Sequence, residues 1–294
     1  MSNPASPKTD AARDQNRSNG VVRDDTPILG AAMLVPELPE WRSWLIDSQR
    51  DLEIQDFIDP KVLASGWRER VDEARRHLDG YRGRLGIHGP FVGFSLACGD
   101  RDIDEVARRR LEQALDVAAR LGADQIVIHS PFTQWMHRNR DAGLIDFHMV
   151  ADRVHELIDS VLRRAVSLGV VFVLENIEDI DPGARALIVE AANSPALALS
   201  VDTGHAACAH AMAGGPPVDG FIRAAGARLQ HVHLADNDGY ADRHWPPGEG
   251  RISWEAVFSA LTNMPTNPRL LLELKDRSQI PIALKTLRNA GLAQ

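Results

Sequence analysis

Short apolar runs alternate along the chain with longer segments that carry apolar residues on one side. The short runs are rich in Val, Ile and Leu at successive positions, which is typical of strands buried on both faces of a parallel sheet. They lie at residues 28–34, 51–57, 85–89, 125–130, 170–176, 196–202, 229–236 and 269–276. We therefore predict eight strands, each followed by a helix.

Two of the intervening segments have a clear helical pattern. In residues 102–121 apolar side chains recur at every third or fourth position, and a second pattern of this kind runs over 147–168 and ends before a glycine. Asp102 together with Glu105 resembles a capping box at the start of the first helix. Gly122 stands where that helix is predicted to end.

Eight strand–helix units predict a single α/β domain, a (β/α)8 TIM barrel over residues 27–294. An open doubly wound sheet is the competing arrangement. We favour the barrel because eight strands are predicted and no GxGxxG fingerprint follows the first of them. Residues 1–26 are polar and rich in Ser, Asp, Asn and Arg, so we predict a disordered tail there.

The composition narrows the class of protein. The chain has 294 residues, of which 44% are hydrophobic and 25% charged, as expected for a large buried core. Its formal net charge of −8 does not favour nonspecific nucleic-acid binding. A local basic face within this acidic total stays open as an alternative. Two cysteines without a CxxC pair favour a reducing cytoplasm. We expect neither a signal peptide nor a membrane-spanning helix. The sequence leaves open whether the protein forms a homo-oligomer.

Acidic and histidine side chains recur at the carboxyl ends of the predicted strands. These residues are Glu53, His88, His129, Glu175, Asp202, His205, His233, Asp236 and Glu273, and the loop after the seventh strand adds Asp242 and His244. In a TIM barrel the strand ends surround one point, where catalytic groups are found. Buried carboxylates and imidazoles are costly without partners, and a divalent cation offsets that cost. The pattern therefore predicts a metal-dependent site.

The donors in this group are oxygen atoms and imidazole nitrogens. Such a set suits Zn²⁺, Mn²⁺, Co²⁺, Fe²⁺ or Mg²⁺, and the histidines disfavour Mg²⁺ alone. His231 shares a strand face with His233 but lies one layer deeper, so we assign it a supporting role behind the ligands. Asp236 receives a similar role, orienting a ligand or the substrate. Asp242 and His244, one residue apart, would form a chelating pair if their backbone were extended.

Seven stretches carry a resemblance to a known superfamily. They are IHGPF at 87–91, IVIHSPF at 126–132, LENIED at 174–179, VDTGHA at 201–206, HVHLADN at 231–237, DRHWPPGEG at 242–250 and LLLELK at 270–275. From about residue 28 to 290 the chain resembles the xylose isomerase-like TIM-barrel superfamily. That superfamily includes sugar isomerases, ketose 3-epimerases, inosose dehydratases and the endonuclease IV branch of DNA-repair enzymes.

The resemblance implies two candidate ligand sets. In the sugar-acting branches one metal is held by residues that match Glu175, Asp202, His233 and Glu273, and His205 would contact the substrate. In the endonuclease IV branch three zinc ions use a longer set, matched here by His88, His129, Glu175, Asp202, His205, His233, Asp242, His244 and Glu273. One metal site is thus implied, with up to three ions in all. The additional residues would bind either further metals or the substrate.

The leading hypothesis is a divalent-metal-dependent isomerase or epimerase of a small carbohydrate-like molecule. It would transfer a proton alpha to a metal-bound carbonyl, with Glu175 and Glu273 as the catalytic residues. The first strand region, ILGAAMLVPELPEW, departs from the His- and Ser-containing signature of the DNA-repair branch. The alternative is a multinuclear zinc phosphodiester hydrolase resembling endonuclease IV, under which alone nucleic acid would be a partner. Dehydratase chemistry, a phosphorylated substrate and a non-catalytic metal-binding scaffold stay open.

Overall fold

A closed barrel of parallel strands forms the centre of the molecule. The computed structural model describes residues 26–294, so the predicted disordered tail lies outside the described residues except for Thr26. Each strand pairs with its neighbours in sequence, and the last pairs with the first. The strands are β1 (Gly30–Met33), β2 (Leu52–Ile54), β3 (Leu85–His88), β4 (Gln125–His129), β5 (Val171–Glu175), β6 (Leu197–Asp202), β7 (Leu229–Leu234) and β8 (Arg269–Leu272). The predicted single-domain TIM barrel is confirmed.

Helices between the strands cover the outside of the barrel. They are α1 (Leu38–Asp47), α2 (Pro60–Ala64), α3 (Trp67–His77), α4 (Arg101–Leu121), α5 (Gln134–Asn139), α6 (Phe147–Leu168), α7 (Gly183–Ala192), α8 (Thr203–Ala213), α9 (Val218–Ala225), α10 (Trp254–Thr262) and α11 (Ile280–Asn289). Short 3₁₀ helices lie at Val35–Glu37, Asp56–Ile58, Gly226–Arg228 and Arg277–Gln279. Across residues 26–294, no helix combines the length and the apolar character that a membrane crossing needs.

The two long helices form where the pattern predicted them, but the first begins at a different cap. Asp100 precedes α4, and its side chain accepts a hydrogen bond from the backbone N–H of Asp102 at 2.9 Å. The predicted capping box of Asp102 and Glu105 is therefore wrong, because an aspartate two positions earlier is the N-cap and accepts from a free amide of the first turn. Gly122 (φ +83°) and Gly169 (φ +68°) end α4 and α6 in the left-handed conformation that glycine adopts without strain.

Most of the apolar core lies between the barrel and its helices. Ile126 of β4 and Phe172 of β5 belong to this large cluster together with the buried faces of the helices. Val127, Val173 and Ala198 form a separate small cluster on the opposite face of their strands, inside the barrel. They lie two or four residues before the polar ends of β4, β5 and β6. The interior of the barrel is therefore packed beneath the site, which lies at its carboxyl end.

Pairing between strands decides which polar strand ends become neighbours. His129 at the end of β4 is in register with Glu175 at the end of β5. Asp202 of β6 is in register with His233 of β7, after a shift in the register of this pair earlier in the strands. Since a one-residue slip would turn the polar side chains to the other face, the shift places both residues on the interior of the barrel.

Candidate metal centre and active site

Four of the predicted ligand residues meet at the carboxyl ends of consecutive strands. Glu175 ends β5, Asp202 ends β6, His233 lies near the end of β7 and Glu273 directly follows β8. Each offers one ligand atom, and these atoms lie within 4.8 Å of one another. His233 Nδ1 is 2.5 Å from Glu175 Oε1 and 3.3 Å from Glu273 Oε2. The four side chains thus converge on one point from four neighbouring strands of the barrel.

Asp202 holds a carboxylate oxygen that lacks a partner. The residue is fully buried, and its Oδ1 accepts a hydrogen bond from the His205 backbone N–H at 2.6 Å, which caps α8. Its Oδ2 is buried without a hydrogen-bond partner. Burial raises the pKa of Asp202 to about 6, against the opposing charge of His205. An unpartnered buried oxygen on one of the four converging residues fits a divalent cation, because the cation would supply the missing positive charge.

The two nitrogens of the His233 ring lie in different surroundings. Nδ1 faces Glu175 and Glu273, whereas Nε2 lies 3.2 and 3.3 Å from the two carboxylate oxygens of Glu53 on β2. Burial opposes protonation of this ring, but the charges of the three glutamates outweigh it and raise the pKa of His233 well above its ordinary value. A proton on Nδ1 and a cation beside it are therefore alternatives, since each neutralises the same carboxylates.

A second group of potential ligands shares Glu175. His88 Nε2 and His129 Nε2 lie 3.7 and 3.4 Å from Glu175 Oε2. His88 Nδ1 is 3.0 Å from the carbonyl oxygen of Gly89, which only accepts, so Nδ1 carries a proton and Nε2 is turned to the site. Burial lowers the pKa of His129 to about 3 and leaves the ring neutral, the form that binds metals. Phe91 stacks on His129 with ring centroids 3.8 Å apart.

The loop after β7 brings Asp242 and His244 back to the site. Asp242 Oδ2 is 2.8 Å from His244 Nε2 and 3.3 Å from His205 Nε2. In both rings Nδ1 donates to a backbone carbonyl, that of Glu273 for His244 and that of Asn176 for His205. Burial disfavours the charged ring, but the hydrogen bond to Asp242 and the charges of Glu273, Asp202 and Asp242 together raise the pKa of His244 to about 9. The pair meets through a left-handed backbone at His244 (φ +50°), not through an extended one.

Asp236 anchors the loop that carries this pair. Its carboxylate accepts hydrogen bonds from the backbone N–H groups of Asn237 (2.9 Å), Gly248 (2.9 Å) and Ile252 (3.2 Å) and from the indole N–H of Trp254 (2.9 Å). Its own backbone pairs with that of Trp245 in an antiparallel bridge. Asp236 thus supports the site indirectly, because it holds the loop between β7 and α10 against the barrel.

Replacing Asp236 with alanine should loosen this loop. Two buried and two partly buried N–H donors would lose a charged acceptor, so we expect the free energy of unfolding to fall by about 2–3 kcal/mol. We also expect faster cleavage by proteases within residues 237–252. Urea unfolding and limited proteolysis measure the two effects. Asp238→Ala is the control, because Asp238 lies in the same loop but is partly exposed and pairs with Arg243. Equal sensitivity of the two variants would contradict the anchoring role.

Two polar residues at the site were not singled out from the sequence. Gln55, just after β2, donates its amide N–H to Glu273 Oε1 and, at 3.4 Å, to Glu53 Oε1. Arg277 donates to Gln55 Oε1 at 2.8 Å, and because arginine is only a donor this fixes which end of the amide faces the glutamates. The sequence did offer a signal for Gln55. Side chains alternate between the two faces of a strand, so Gln55, two residues after Glu53 on β2, is expected on the same face.

His231 lies below His233 in the interior of the barrel. It is buried, its Nδ1 is 2.8 Å from Ser200 Oγ and its Nε2 is 3.3 Å from Glu53 Oε2. The ring centroids of His231 and His233 are 4.5 Å apart. Its contacts therefore run to Glu53 and Ser200, behind the convergence point of the four residues.

An open cavity of about 420 Å³ gives access to the site. Its walls are formed by Gln55, Ile58, His88, Phe91, His129, Glu175, Ile177, His205, Asp242, His244, Glu273, Leu274, Lys275 and Arg277. Phe91, His129 and Ile177 also line a neighbouring cavity of about 210 Å³ whose walls include several apolar side chains. A cavity of this size with many polar groups suits a small, multiply hydroxylated molecule.

Comparison with known families finds one match that covers most of the chain. Residues 54–291 match a family model described as xylose isomerase-like TIM barrel. An uncharacterised protein of Methanocaldococcus jannaschii is 24% identical over 206 residues, which is 67% of this chain and 67% of that protein. The match to the family model includes every predicted site residue from His88 to Glu273.

Several solved structures share the architecture. A Thermus thermophilus protein whose crystals were soaked with zinc chloride is 26% identical and aligns over 90% of this chain and 99% of its own, with a TM-score of 0.68. A D-tagatose 3-epimerase-like protein is 20% identical over 89% and 96% of the two chains, with a TM-score of 0.69. An AP endonuclease, family 2, from Brucella melitensis is 17% identical over 90% and 98%, with a TM-score of 0.65. The last two likenesses show the fold alone.

Proposed function

The chain belongs to the xylose isomerase-like TIM barrel family, and from this we propose that it is a divalent-metal-dependent isomerase or epimerase of a small sugar or sugar derivative. The observation that carries the proposal is the convergence of Glu175, Asp202, His233 and Glu273 with an unpartnered carboxylate oxygen among them. Fold neighbours described as a D-tagatose 3-epimerase-like protein and a 3-keto-D-glucoside 4-epimerase of E. coli support the reaction class.

The four converging residues would hold the metal. They provide three carboxylates and one imidazole, a donor set that suits Zn²⁺, Mn²⁺, Co²⁺ or Fe²⁺. When bound, such a cation supplies a Lewis acid that stabilises negative charge on a substrate carbonyl oxygen. The soaking of the Thermus relative with zinc chloride makes Zn²⁺ a suitable first ion to test.

Glu175 and Glu273 would move the proton. They enter the site from β5 and from the end of β8, so they approach a substrate from different sides of the barrel. One carboxylate takes the proton from the carbon next to the carbonyl, and in an epimerisation the other returns a proton to the opposite face. Gln55 donates to Glu273 Oε1 and so orients this carboxylate, whose Oε2 lies 3.3 Å from His233 Nδ1.

Histidines that line the cavity would hold the hydroxyl groups of the substrate. His88 and His205 each donate from Nδ1 to a backbone carbonyl, and this keeps their Nε2 atoms directed to the site. Phe91, which stacks on His129, gives the cavity an apolar wall against which the C–H face of a sugar can pack. The chain thus offers both orienting polar groups and an apolar surface.

Exchange of the alpha proton in D₂O tests this function. Metal-replete protein is incubated with a panel of ketoses, aldoses and inososes, and deuterium at the alpha carbon is followed by NMR. We expect exchange with at least one member of the panel, loss of exchange on treatment with EDTA, and recovery when a divalent cation is added. Metal-replete protein that exchanges no proton with any member would overturn the proposal.

The additional polar groups around the cavity favour a second candidate function. The ligand atoms of His88, His129 and Glu175 lie within 4.8 Å of one another, and Asp242 Oδ2 lies near both His205 Nε2 and His244 Nε2. A site with further places for zinc suits a phosphodiester hydrolase resembling endonuclease IV. The fold neighbour described as an AP endonuclease, family 2, agrees with this candidate.

Zinc stoichiometry separates the two candidates. Close to three zinc ions per chain, together with incision of DNA at an abasic site, would favour the hydrolase. One ion per chain without incision would favour the isomerase or epimerase. Elemental analysis of the purified protein and a cleavage assay on an abasic oligonucleotide provide the two measurements.

A divalent cation should stabilise the protein, and more strongly at higher pH. At a concentration 100 times its Kd, one bound cation adds about 2.7 kcal/mol to the free energy of unfolding. The raised pKa values of His233 and of Asp202, the latter about 6, mean that protons compete with the cation. We expect affinity to fall from pH 8 to pH 6, by about tenfold per pH unit for each proton displaced. Thermal unfolding with Zn²⁺ or with EDTA measures this, and tighter binding on acidification would contradict it.

A further inference from the structure

Glu53 lies behind the proposed metal ligands without belonging to them. It is buried in β2, and its carboxylate oxygens lie 3.2 and 3.3 Å from His233 Nε2. One of these oxygens also lies 3.3 Å from His231 Nε2. A buried carboxylate that faces two imidazole rings has a larger effect on them than an exposed one, because the interior screens charge weakly.

The hydrogen bonds of Glu53 decide where the proton of the His233 ring sits. An ionised carboxylate only accepts hydrogen bonds, so Nε2 of His233, which is bonded to both oxygens of Glu53, carries hydrogen. Nε2 of His231 lies 3.3 Å from the same carboxylate but without the geometry of a hydrogen bond. Nδ1 of His231 lies 2.8 Å from Ser200 Oγ, and these two atoms share one hydrogen bond. His233 is left with Nδ1 as its ligand atom, on the side where Glu175 and Glu273 lie.

His233 is oriented opposite to the other histidines of the site. His88, His205 and His244 each donate from Nδ1 to a backbone carbonyl and turn Nε2 to the site. His233 turns Nδ1 to the site, so its Nε2 needs an acceptor from deeper in the barrel. Glu53 provides that acceptor from β2, which is separated from β7 by β8 and β1.

Building on the proposed metal function, we propose that Glu53 is a positioning residue that keeps the proton of His233 on Nε2 and so presents Nδ1 to the metal. Ligating histidines commonly donate their other ring N–H to a carboxylate, and loss of such a partner weakens metal binding. Ser200 lies on the other side of the His231 ring, where its hydroxyl is 2.8 Å from Nδ1, and among the described residues no side-chain hydrogen bond joins it to His233. The proposal therefore predicts a large effect at Glu53 and a small one at Ser200.

Nitrogen NMR of the unaltered protein tests the position of the proton directly. Protein with ¹⁵N-labelled histidine is compared with and without Zn²⁺. We expect the loaded protein to show His233 with hydrogen on Nε2 and with Nδ1 shifted by the metal. Hydrogen on Nδ1 and metal on Nε2 in the loaded protein would overturn the proposal. This measurement needs no substrate and no variant.

Affinity for Co²⁺ tests the energetic consequence. Glu53→Gln keeps the size of the side chain but removes the negative charge and replaces one acceptor oxygen by an amide donor. We expect the Kd for Co²⁺, followed by visible absorption, to rise by about 10–100-fold. Ser200→Ala is the matched control, because it removes a buried hydroxyl beside His231 but leaves Glu53 and its contacts with both rings in place. Its Kd should stay within about threefold of the wild-type value.

The outcomes separate this inference from the proposed function. Co²⁺ uptake by the wild-type protein with an unchanged Kd in Glu53→Gln would overturn the role of Glu53 alone. Equal weakening in Glu53→Gln and Ser200→Ala would also overturn it, because a general disturbance of the core would then explain both. A wild-type protein that takes up no Co²⁺ would overturn the proposed metal site and this inference with it.

Discussion

Replacing Glu175 with glutamine lowers the rate of alpha-proton exchange by about 10²–10⁴-fold, the effect expected for loss of a general acid–base group. Glu175 belongs to two of the groups of potential ligands, and its two oxygens face His233 Nδ1 and His129 Nε2. Glutamine keeps the size of the side chain but neither accepts the substrate proton nor carries the negative charge. We also expect weaker binding of Zn²⁺. The exchange rate at saturating Zn²⁺ separates loss of the proton acceptor from loss of the metal.

A distant glutamate provides the control for this variant. Glu190 lies on α7, is exposed and pairs with Arg228. Glu190→Gln makes the same chemical change outside the site, and its exchange rate should equal that of the wild-type protein. If the Glu175→Gln protein kept more than about a tenth of the wild-type exchange rate, Glu175 would not be the residue that transfers the proton.

Replacing Arg185 with methionine should destabilise the fold by about 3–5 kcal/mol at pH 7, because one partner of a buried charge pair is removed. Arg185 lies on α7 and is fully buried. Its Nη1 donates to the carbonyl oxygens of Leu174 and Ser200, and its Nε lies 3.5 Å from Asp179 Oδ1. Methionine fills much of the same space but leaves two carbonyls without this donor and Asp179 without its countercharge. Urea unfolding measures the loss.

The size of this loss should depend on pH through Asp179. Burial raises the pKa of Asp179 to about 6, although the charge of Arg185 opposes this, so removal of Arg185 raises the pKa further. The folded variant then holds a proton that the unfolded chain releases near pH 4. The stability of the variant relative to wild type therefore falls as the pH rises from 5 to 8. Unfolding curves at pH 5, 7 and 8 give the trend, and a difference that grows on acidification would contradict it.

An exposed arginine with a similar ion pair serves as the control. Arg228 pairs with Glu190 at the surface. Arg228→Met should change the free energy of unfolding by less than about 1 kcal/mol at each pH, since exposed pairs contribute little. A loss as large as that of Arg185→Met would show that burial is not the cause of the effect.

Much of the barrel was predictable because burial acts on each strand locally. A strand covered on both faces must be apolar at successive positions, and residues 125–130 and 170–176 show this before any contact is known. Helix boundaries were predicted less well, because several residues can cap one helix. Asp102 has the right residue type, yet Asp100 forms the cap of α4. The choice between them depends on backbone dihedrals that residue type does not specify.

The types of side chain at the candidate site could be predicted from the sequence for a similar reason. Polar residues at the ends of buried strands stand out against the apolar runs, and the barrel topology brings those ends together. The roles of Glu53 and Gln55 were not visible, although their spacing on β2 places both on one face. Glu53 and His233 lie 180 positions apart, and their contact depends on the closure of the whole barrel.

The sequence by itself determined the eight-stranded barrel, the kinds of donors at its carboxyl end and the positions that carry them. The tertiary structure decided which atoms meet: His233 turns Nδ1 to the glutamates and Nε2 to Glu53, and Asp236 holds the loop that returns Asp242 to the cavity. The physical reason is the range of the interactions. Burial and backbone preference act on neighbouring residues, whereas the direction of a ring or a carboxylate is set by hydrogen bonds to residues far away in the chain.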